Sequence, residues 1–292
     1  MNYKMVGFVL GRIFLIEAAL MLFPMGCAAI YGEWSVVLSF LWPTLIVLAL
    51  GLITSLRTPQ NTKIYARDGL AIVALVWVLM SVFGALPFVI SGEIPSFVDA
   101  FFETVSGFTT TGSTILTDVE ALSHGTLFWR SFSHWIGGMG VLVFAMAVLP
   151  MTDGRAMHLM RAEVPGPTCG KISSKLSDSA KILYAIYFVM TVIEMILLCA
   201  GGMPLFDALI HAFGTAGTGG FSNKALSVGA YNSPYFEIVI GVFMLLFGIN
   251  FNLYYFLLLR HFREAFASEE MRVYLGIVAF STLTITANIA SM

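Results

Sequence analysis

The sequence predicts an all-α polytopic membrane protein with about seven transmembrane helices and two short re-entrant segments set between them. Three observations predict it: the composition, the spacing of the apolar runs, and an internal repeat that carries Asp99 onto Asp207. Apolar residues make up 58% of the chain and charged residues only 11%, whereas a soluble domain carries about a quarter charged residues to build its outer shell. A chain of 292 residues with so few charges needs apolar surroundings, which a bilayer supplies. The formal net charge of -2 leaves no basic face for nucleic acid. Cys27, Cys169 and Cys199 are scattered, in neither disulfide nor metal-ligand spacing, and read as small apolar fillers.

A transmembrane helix takes roughly 20 mostly apolar residues, and seven runs qualify: 5–30, 35–55, 68–91, 126–150, 180–201, 234–259 and 272–291. The first, from Met5 to Tyr31, is too long for the core of a signal peptide and lacks a small-residue cleavage site, so it is a retained span. Segments 96–123 and 204–232 are too short and too polar to cross. Basic residues gather in three loops: Arg57, Lys63 and Arg67; Arg155, Arg161, Lys171, Lys175 and Lys181; and Arg260, Arg263 and Arg272. The positive-inside rule makes these loops and the N-terminus, with Lys4, cytoplasmic. The opposite side collects Glu33, Glu93, Asp99, Glu103, Asp118, Glu120 and Asp207, with Lys224 its clear lysine. Both short polar segments therefore belong outside.

A single shift of the chain against itself superposes Asp99-Ala100 on Asp207-Ala208, Thr110 on Thr218, Gly112 on Gly220, Phe128 on Phe236 and Gly140 on Gly248. The matches follow one plan of span, re-entrant segment, span, in one membrane orientation. The repeats should thus be related by an axis along the membrane normal, around a shared conduit. The chain divides into an N-terminal two-helix extension (1–60), a first repeat (61–150), a cytoplasmic connector (151–179), a second repeat (180–262) and the first span of a further repeat (263–292).

Each re-entrant segment opens as a short helix. Ser96 is a cap with Asp99 three residues on, close to a capping box, and in the second copy Pro204 takes the first-turn position with Asp207 in the place of Asp99. An apolar stretch follows, then small residues: Thr109-Thr110-Thr111-Gly112-Ser113-Thr114 and Gly217-Thr218-Gly219-Gly220-Phe221-Ser222. Irregular backbone at membrane depth survives only where protein or water satisfies it. A helix leading into an extended Gly/Thr/Ser strand does so by facing carbonyls onto a narrow wet axis, where they replace a cation's hydration shell. The absence of a carboxylate ligand in the strands suits a monovalent cation better than magnesium or calcium. The two segments thus read as pore helix–filter loops.

Ser106-Gly107-Phe108-Thr109-Thr110-Thr111-Gly112-Ser113-Thr114, Phe128-Trp129-Arg130-Ser131 and Trp135-Ile136-Gly137-Gly138-Met139-Gly140 resemble the first pore loop and following helix of the Trk/Ktr/HKT potassium transporter superfamily, its bacterial TrkH branch above all. Gly219-Gly220-Phe221-Ser222 resembles that family's second filter. The resemblance covers essentially the whole chain. It implies K+ uptake in a bacterial cytoplasmic (inner) membrane, with K+ held by Thr110, Thr111, Gly112, Ser113 and Thr114 and by Thr218, Gly219, Gly220, Phe221 and Ser222. It also implies no covalent cofactor, a homodimer, and a cytoplasmic nucleotide-binding regulatory subunit of the TrkA type as the route by which nucleotide acts. The driving force stays open among Na+ or H+ symport and the membrane potential. The family builds its pore from four repeats; this chain holds two and opens a third, so it is expected to be either a truncated portion or one whose missing half comes from elsewhere, and would not by itself conduct with normal selectivity.

Asp99, Glu103, Asp207 and His211 are read as pore-helix support; Glu103 and His211 occupy matching places of the two repeats, off the filter itself. Glu17 and Glu194 lie within spans, where an ionisable residue is either an ion-coupling group or a paired structural carboxylate. Arg130 would anchor at the outer headgroups or pair with a nearby acid such as Glu120. Gly137-Gly138-Met139-Gly140 invites close helix packing behind the filter. The connector, with Pro165 and Pro167, is a plain link or a docking surface. His124, His134 and His158 make no metal-ligand set. A secondary carrier built on broken helices is the alternative function, but it favours inverted repeats, and these share one orientation. A membrane enzyme would need a nucleophile–base pair or an acidic metal motif, and none is present in the sequence.

Overall fold

The computed structural model describes residues 1–61, 64–140, 176–263 and 267–290. The second half of the predicted span 126–150, the connector with Cys169, His158 and the two prolines, and Lys63 lie outside the described residues. The described residues form helices α1 (Tyr3–Leu20), α2 (Leu22–Ile30), α3 (Trp34–Ser55), α4 (Ala66–Ser91), α5 (Phe97–Phe108), α6 (His124–Gly138), α7 (Leu176–Ala200), α8 (Leu205–Ala216), α9 (Pro234–Phe247), α10 (Phe251–Leu258) and α11 (Glu269–Ala290), with a 3-10 turn at Ser227–Tyr231. Five stretches are long and apolar enough to cross a membrane, Tyr3–Ile30 counting as one, and the α9–α10 pair makes a sixth if taken as a single bent span.

Small residues set how closely the spans approach. α1 packs on α3 where Gly11 faces Thr54 and the Gly51 carbonyl, and where Gly51 faces Leu15, so a side chain at either glycine would collide. α3 packs on α4, α4 on the first re-entrant helix α5, and α5 on α6. The second half repeats this: α7 packs on the re-entrant helix α8, and α8 on α9. α6 also lies against α8, which brings the two re-entrant helices to the same centre. Trp129 of α6 is wholly buried there, donating from its indole nitrogen to the Gly84 carbonyl at 2.9 Å, edge-on to Phe40 and Phe108. Leu38, Trp42, Ile46 and Ile53 of α3 and Phe188, Ile193 and Ile196 of α7 stay exposed, as side chains facing lipid should.

Two details differ from the sequence expectation. Pro204 is the cap of α8 rather than its first helical residue, a one-residue displacement of the kind helix ends commonly show. The run 234–259 is not one straight helix: α9 and α10 meet at 91° across Gly248–Asn250. The break is satisfied locally. Asn250 Oδ1 accepts from the Asn252 amide at 3.0 Å, and the hydroxyls of Tyr254 and Tyr274 donate to the carbonyls of Leu246 and Leu245 at 2.6 and 3.2 Å.

Candidate functional site

The site begins where α5 and α8 end, and the two ends are built alike. Thr109, Thr110 and Thr111 donate their amides to the carbonyls of Val105, Gly107 and Ser106 at 2.8, 3.0 and 2.9 Å. Their counterparts in the second repeat, Gly217, Thr218 and Gly219, donate to Phe213, Thr215 and Gly214 at 3.2, 2.8 and 3.3 Å. This is the Schellman closure of a helix, whose left-handed position is normally glycine. Here it is a threonine in both copies, Thr110 and Thr218, each at φ 56°. Left-handed backbone costs an L-residue about 1–2 kcal/mol, and strain of this kind gathers at ligand-binding sites. Two residues later each strand turns left-handed again, at Gly112 (φ 73°) and Gly220 (φ 78°). The sequence signalled the glycines; nothing in residue type signalled the threonines, because the helix closure imposes their conformation.

Side chains behind the strands hold them in matched fashion. The Thr114 hydroxyl donates to Glu103 Oε1 at 2.9 Å, and the Ile115 amide donates to Glu103 Oε2 at 3.1 Å. In the second copy Ser222 stands in the place of Thr114 and His211 in that of Glu103, with Ser222 Oγ 3.1 Å from His211 Nε2. His211 Nδ1 lies 2.8 Å from the Asp207 carbonyl, which only accepts. Nδ1 therefore carries the proton, and in the neutral ring Nε2 receives the Ser222 hydroxyl. Asp207 also accepts from Asn223 Nδ2 at 2.6 Å and from the Tyr231 hydroxyl at 2.8 Å, fastening the segment beyond the strand. Burial, and then the bond to Asp207, push the Tyr231 phenol up. Asp99, in the matching place, is exposed, and its amide donates the cap bond to Ser96 Oγ at 3.4 Å.

Arg130 corrects the sequence expectation. It neither sits at the headgroups nor pairs with Glu120, whose carboxylate instead takes Lys224 Nζ at 3.2 Å. Arg130 is buried, because it lies two turns into α6, where that helix packs against α5 and α8. Its Nε donates to Glu103 Oε1 at 2.5 Å, its Nη1 donates to the Ser222 carbonyl at 3.0 Å, and its guanidinium carbon lies 3.6 Å from the centre of the Phe221 ring. The Ser113 carbonyl likewise receives the Ser106 hydroxyl at 2.5 Å. Two carbonyls of the predicted filters thus already accept hydrogen bonds from behind. His134, also buried, meets the Phe221 ring edge-on, and a side chain at Gly217 or Gly219 would strike its imidazole.

The strands lie against each other: a Cβ on Gly112 would run into the Gly219 carbonyl. Just beyond, Gly112, Thr114, Gly220, Phe221, Ser222 and Arg130 border a cavity of about 210 Å³. The predicted filter residues therefore lie in two adjacent strands, of which Gly112, Thr114, Gly220, Phe221 and Ser222 open on one space.

Residues 35–289 match the family model described as TrkH, a cation transport protein. The chain belongs to the TrkH family. It is 36% identical over 284 residues to the Trk system potassium uptake protein TrkH of Salmonella typhimurium, covering 95% of this chain and 58% of that protein. It is 33% identical over 289 residues to TrkG of Escherichia coli K12, covering 98% and 59%. The crystal structure of the potassium transporter TrkH from Vibrio parahaemolyticus superposes with a TM-score of 0.82 at 29% identity, over 97% of this chain and 58% of that one. The chain therefore spans a little under three fifths of the length of the TrkH relatives it matches.

Proposed function

We propose that the strands Thr110–Thr114 and Thr218–Ser222 are two of the walls of a K+ filter, and that the protein they serve takes K+ into the cell. One observation carries the reading: two strands, alike in backbone hydrogen bonding at equivalent places of the repeat, lie side by side around one cavity. Oxygens offered by such strands replace water around a cation without a fixed negative charge, which favours a large, weakly hydrated monovalent ion. The names of the relatives supply potassium as that ion. Glu103, His211 and Asp207 hold the strands; Asp99 contributes to the start of its helix alone. The inner membrane, a cytoplasmic N-terminus, a homodimer and a TrkA-like nucleotide-binding partner follow from the resemblance and from the distribution of basic residues. The driving force stays open among Na+ or H+ coupling and the membrane potential; Glu17 and Glu194, both buried within spans, are the candidate coupling groups.

The test is uptake by the protein as its own gene encodes it, in a host lacking other K+ uptake. Gly112→Ser and Gly220→Ser remove residues at positive φ and should lower discrimination of rubidium over sodium. Unchanged discrimination in both variants, with normal amounts in the membrane, would refute the filter assignment.

A further inference from the structure

We propose that Glu103 and Arg130 form a positioning pair that fixes the spacing of the two filter strands and so sets which monovalent cation the seam between them accepts. The proposal rests on the filter reading above and adds to it a determinant of selectivity off the strands themselves.

Glu103 and Arg130 join equivalent points of the two strands. Glu103 grips the first at the Thr114 hydroxyl and the Ile115 amide; Arg130 grips Glu103 and, 92 residues further along the chain, the Ser222 carbonyl. Thr114 and Ser222 are the same position of the repeat. A planar guanidinium can serve both partners at once while lying on the Phe221 face, which an ammonium cannot do. Both side chains are almost fully buried, at 0% and 2% exposure, so their bonds are little weakened by water or salt.

The pair is not a general requirement of the repeat. In the second copy Glu103 is replaced by His211 and Arg130 by Ile238, which is 65% exposed. Of the two strands, His211 hydrogen-bonds its own, at Ser222. These two places of the second repeat hold no ion pair, so the Glu103–Arg130 pair of the first repeat is the one that links the two strands. Arg130 also holds the Ser222 carbonyl from behind, so it influences how many oxygens face the cavity as well as their separation.

The experiment compares Arg130→Lys, Arg130→Gln, Glu103→Gln and Glu103→Gln/Arg130→Gln in the full protein. It reads KM for rubidium and for sodium, with the amount of protein in the membrane. Arg130→Lys should keep membrane amounts near normal yet shift the rubidium-to-sodium KM ratio towards sodium by about tenfold, the scale expected for losing one charge-assisted hydrogen bond. The double variant, free of a buried lone charge, should recover membrane amounts lost by Arg130→Gln while leaving the ratio shifted. Uptake that falls in every variant with an unchanged ratio would overturn the proposal and leave the pair merely structural. Gly112→Ser and Gly220→Ser separate the two readings. If they shift the ratio and the pair variants do not, this inference alone fails; if neither set shifts it, the filter reading fails first.

Discussion

Thr110 and Thr218 occupy the position at which a helix normally ends in glycine, and both do so with a β-branched side chain at φ 56°. Relieving about 1–2 kcal/mol of left-handed strain, against about 0.5–1 kcal/mol of added chain entropy, should make Thr110→Gly or Thr218→Gly more stable by roughly a few tenths to 1 kcal/mol. The purified protein should melt at a higher temperature with either glycine, but not with alanine, which keeps the strain. A glycine variant melting lower than its alanine counterpart would show that the left-handed position carries too little strain to offset glycine's entropy. Uptake should fall despite the added stability, since the strand loses the constraint that shapes it. The candidate site was legible at this scale only in part. Gly112 and Gly220 announce themselves because glycine is the residue that tolerates their conformation. Thr110 and Thr218 do not, because their conformation comes from closing α5 and α8 and not from their own preference.

At the scale of elements, α6 is placed by what caps it. Ser123 Oγ accepts from the Thr126 amide at 3.3 Å, Glu93 accepts from the Ser123 amide at 3.2 Å, and Glu33 accepts from the His124 and Gly125 amides at 2.8 and 3.0 Å. Carboxylates suit the positive end of a helix, and these two come from the loops before α3 and after α4, tying the N-terminal extension to the filter region. Partial burial pushes the Glu33 carboxyl up, but the Gly125 and His124 amides and the His124 ring outweigh it and hold it below its usual 4.5. A depressed carboxylate stabilises the fold above its unfolded pKa, and that contribution disappears as pH falls through the folded value. The melting temperature of the native protein should therefore fall more steeply between about pH 5 and about pH 3 than that of Glu33→Gln. Equal slopes would mean that Glu33 does not stabilise α6. The sequence marked Glu33 as an outer-side acid by charge count; that it caps a helix so distant along the chain is a tertiary fact.

The molecule presents apolar side chains outward along α3 and α7, while its charges, apart from the buried Glu17, Glu103, Arg130 and Glu194, lie mostly towards the ends of the helices and in the loops. With the orientation proposed from the basic loops, Leu226→Cys, on the exposed segment after the second strand, should react with an impermeant thiol reagent on intact cells. Arg57→Cys should react only after the membrane is opened. Both variants are made with Cys27, Cys169 and Cys199 replaced, and the reverse pattern would invert the topology.

The sequence by itself determined that the chain is all-helical and membrane-spanning, with long apolar helices and a short helix before each of the two small-residue strands proposed as filters. Each depends on a local pattern: run length against bilayer thickness, or the small residues that an irregular strand requires. The tertiary structure alone decided the partner of Arg130, the two carbonyls held from behind, and the bend between α9 and α10. Arg130 bonds to Glu103 at 27 residues and to Ser222 at 92, and no periodicity along the chain encodes which buried acid a buried arginine will meet. That choice belongs to helix packing, where α6 slides between α5 and α8 and brings one guanidinium within reach of both strands.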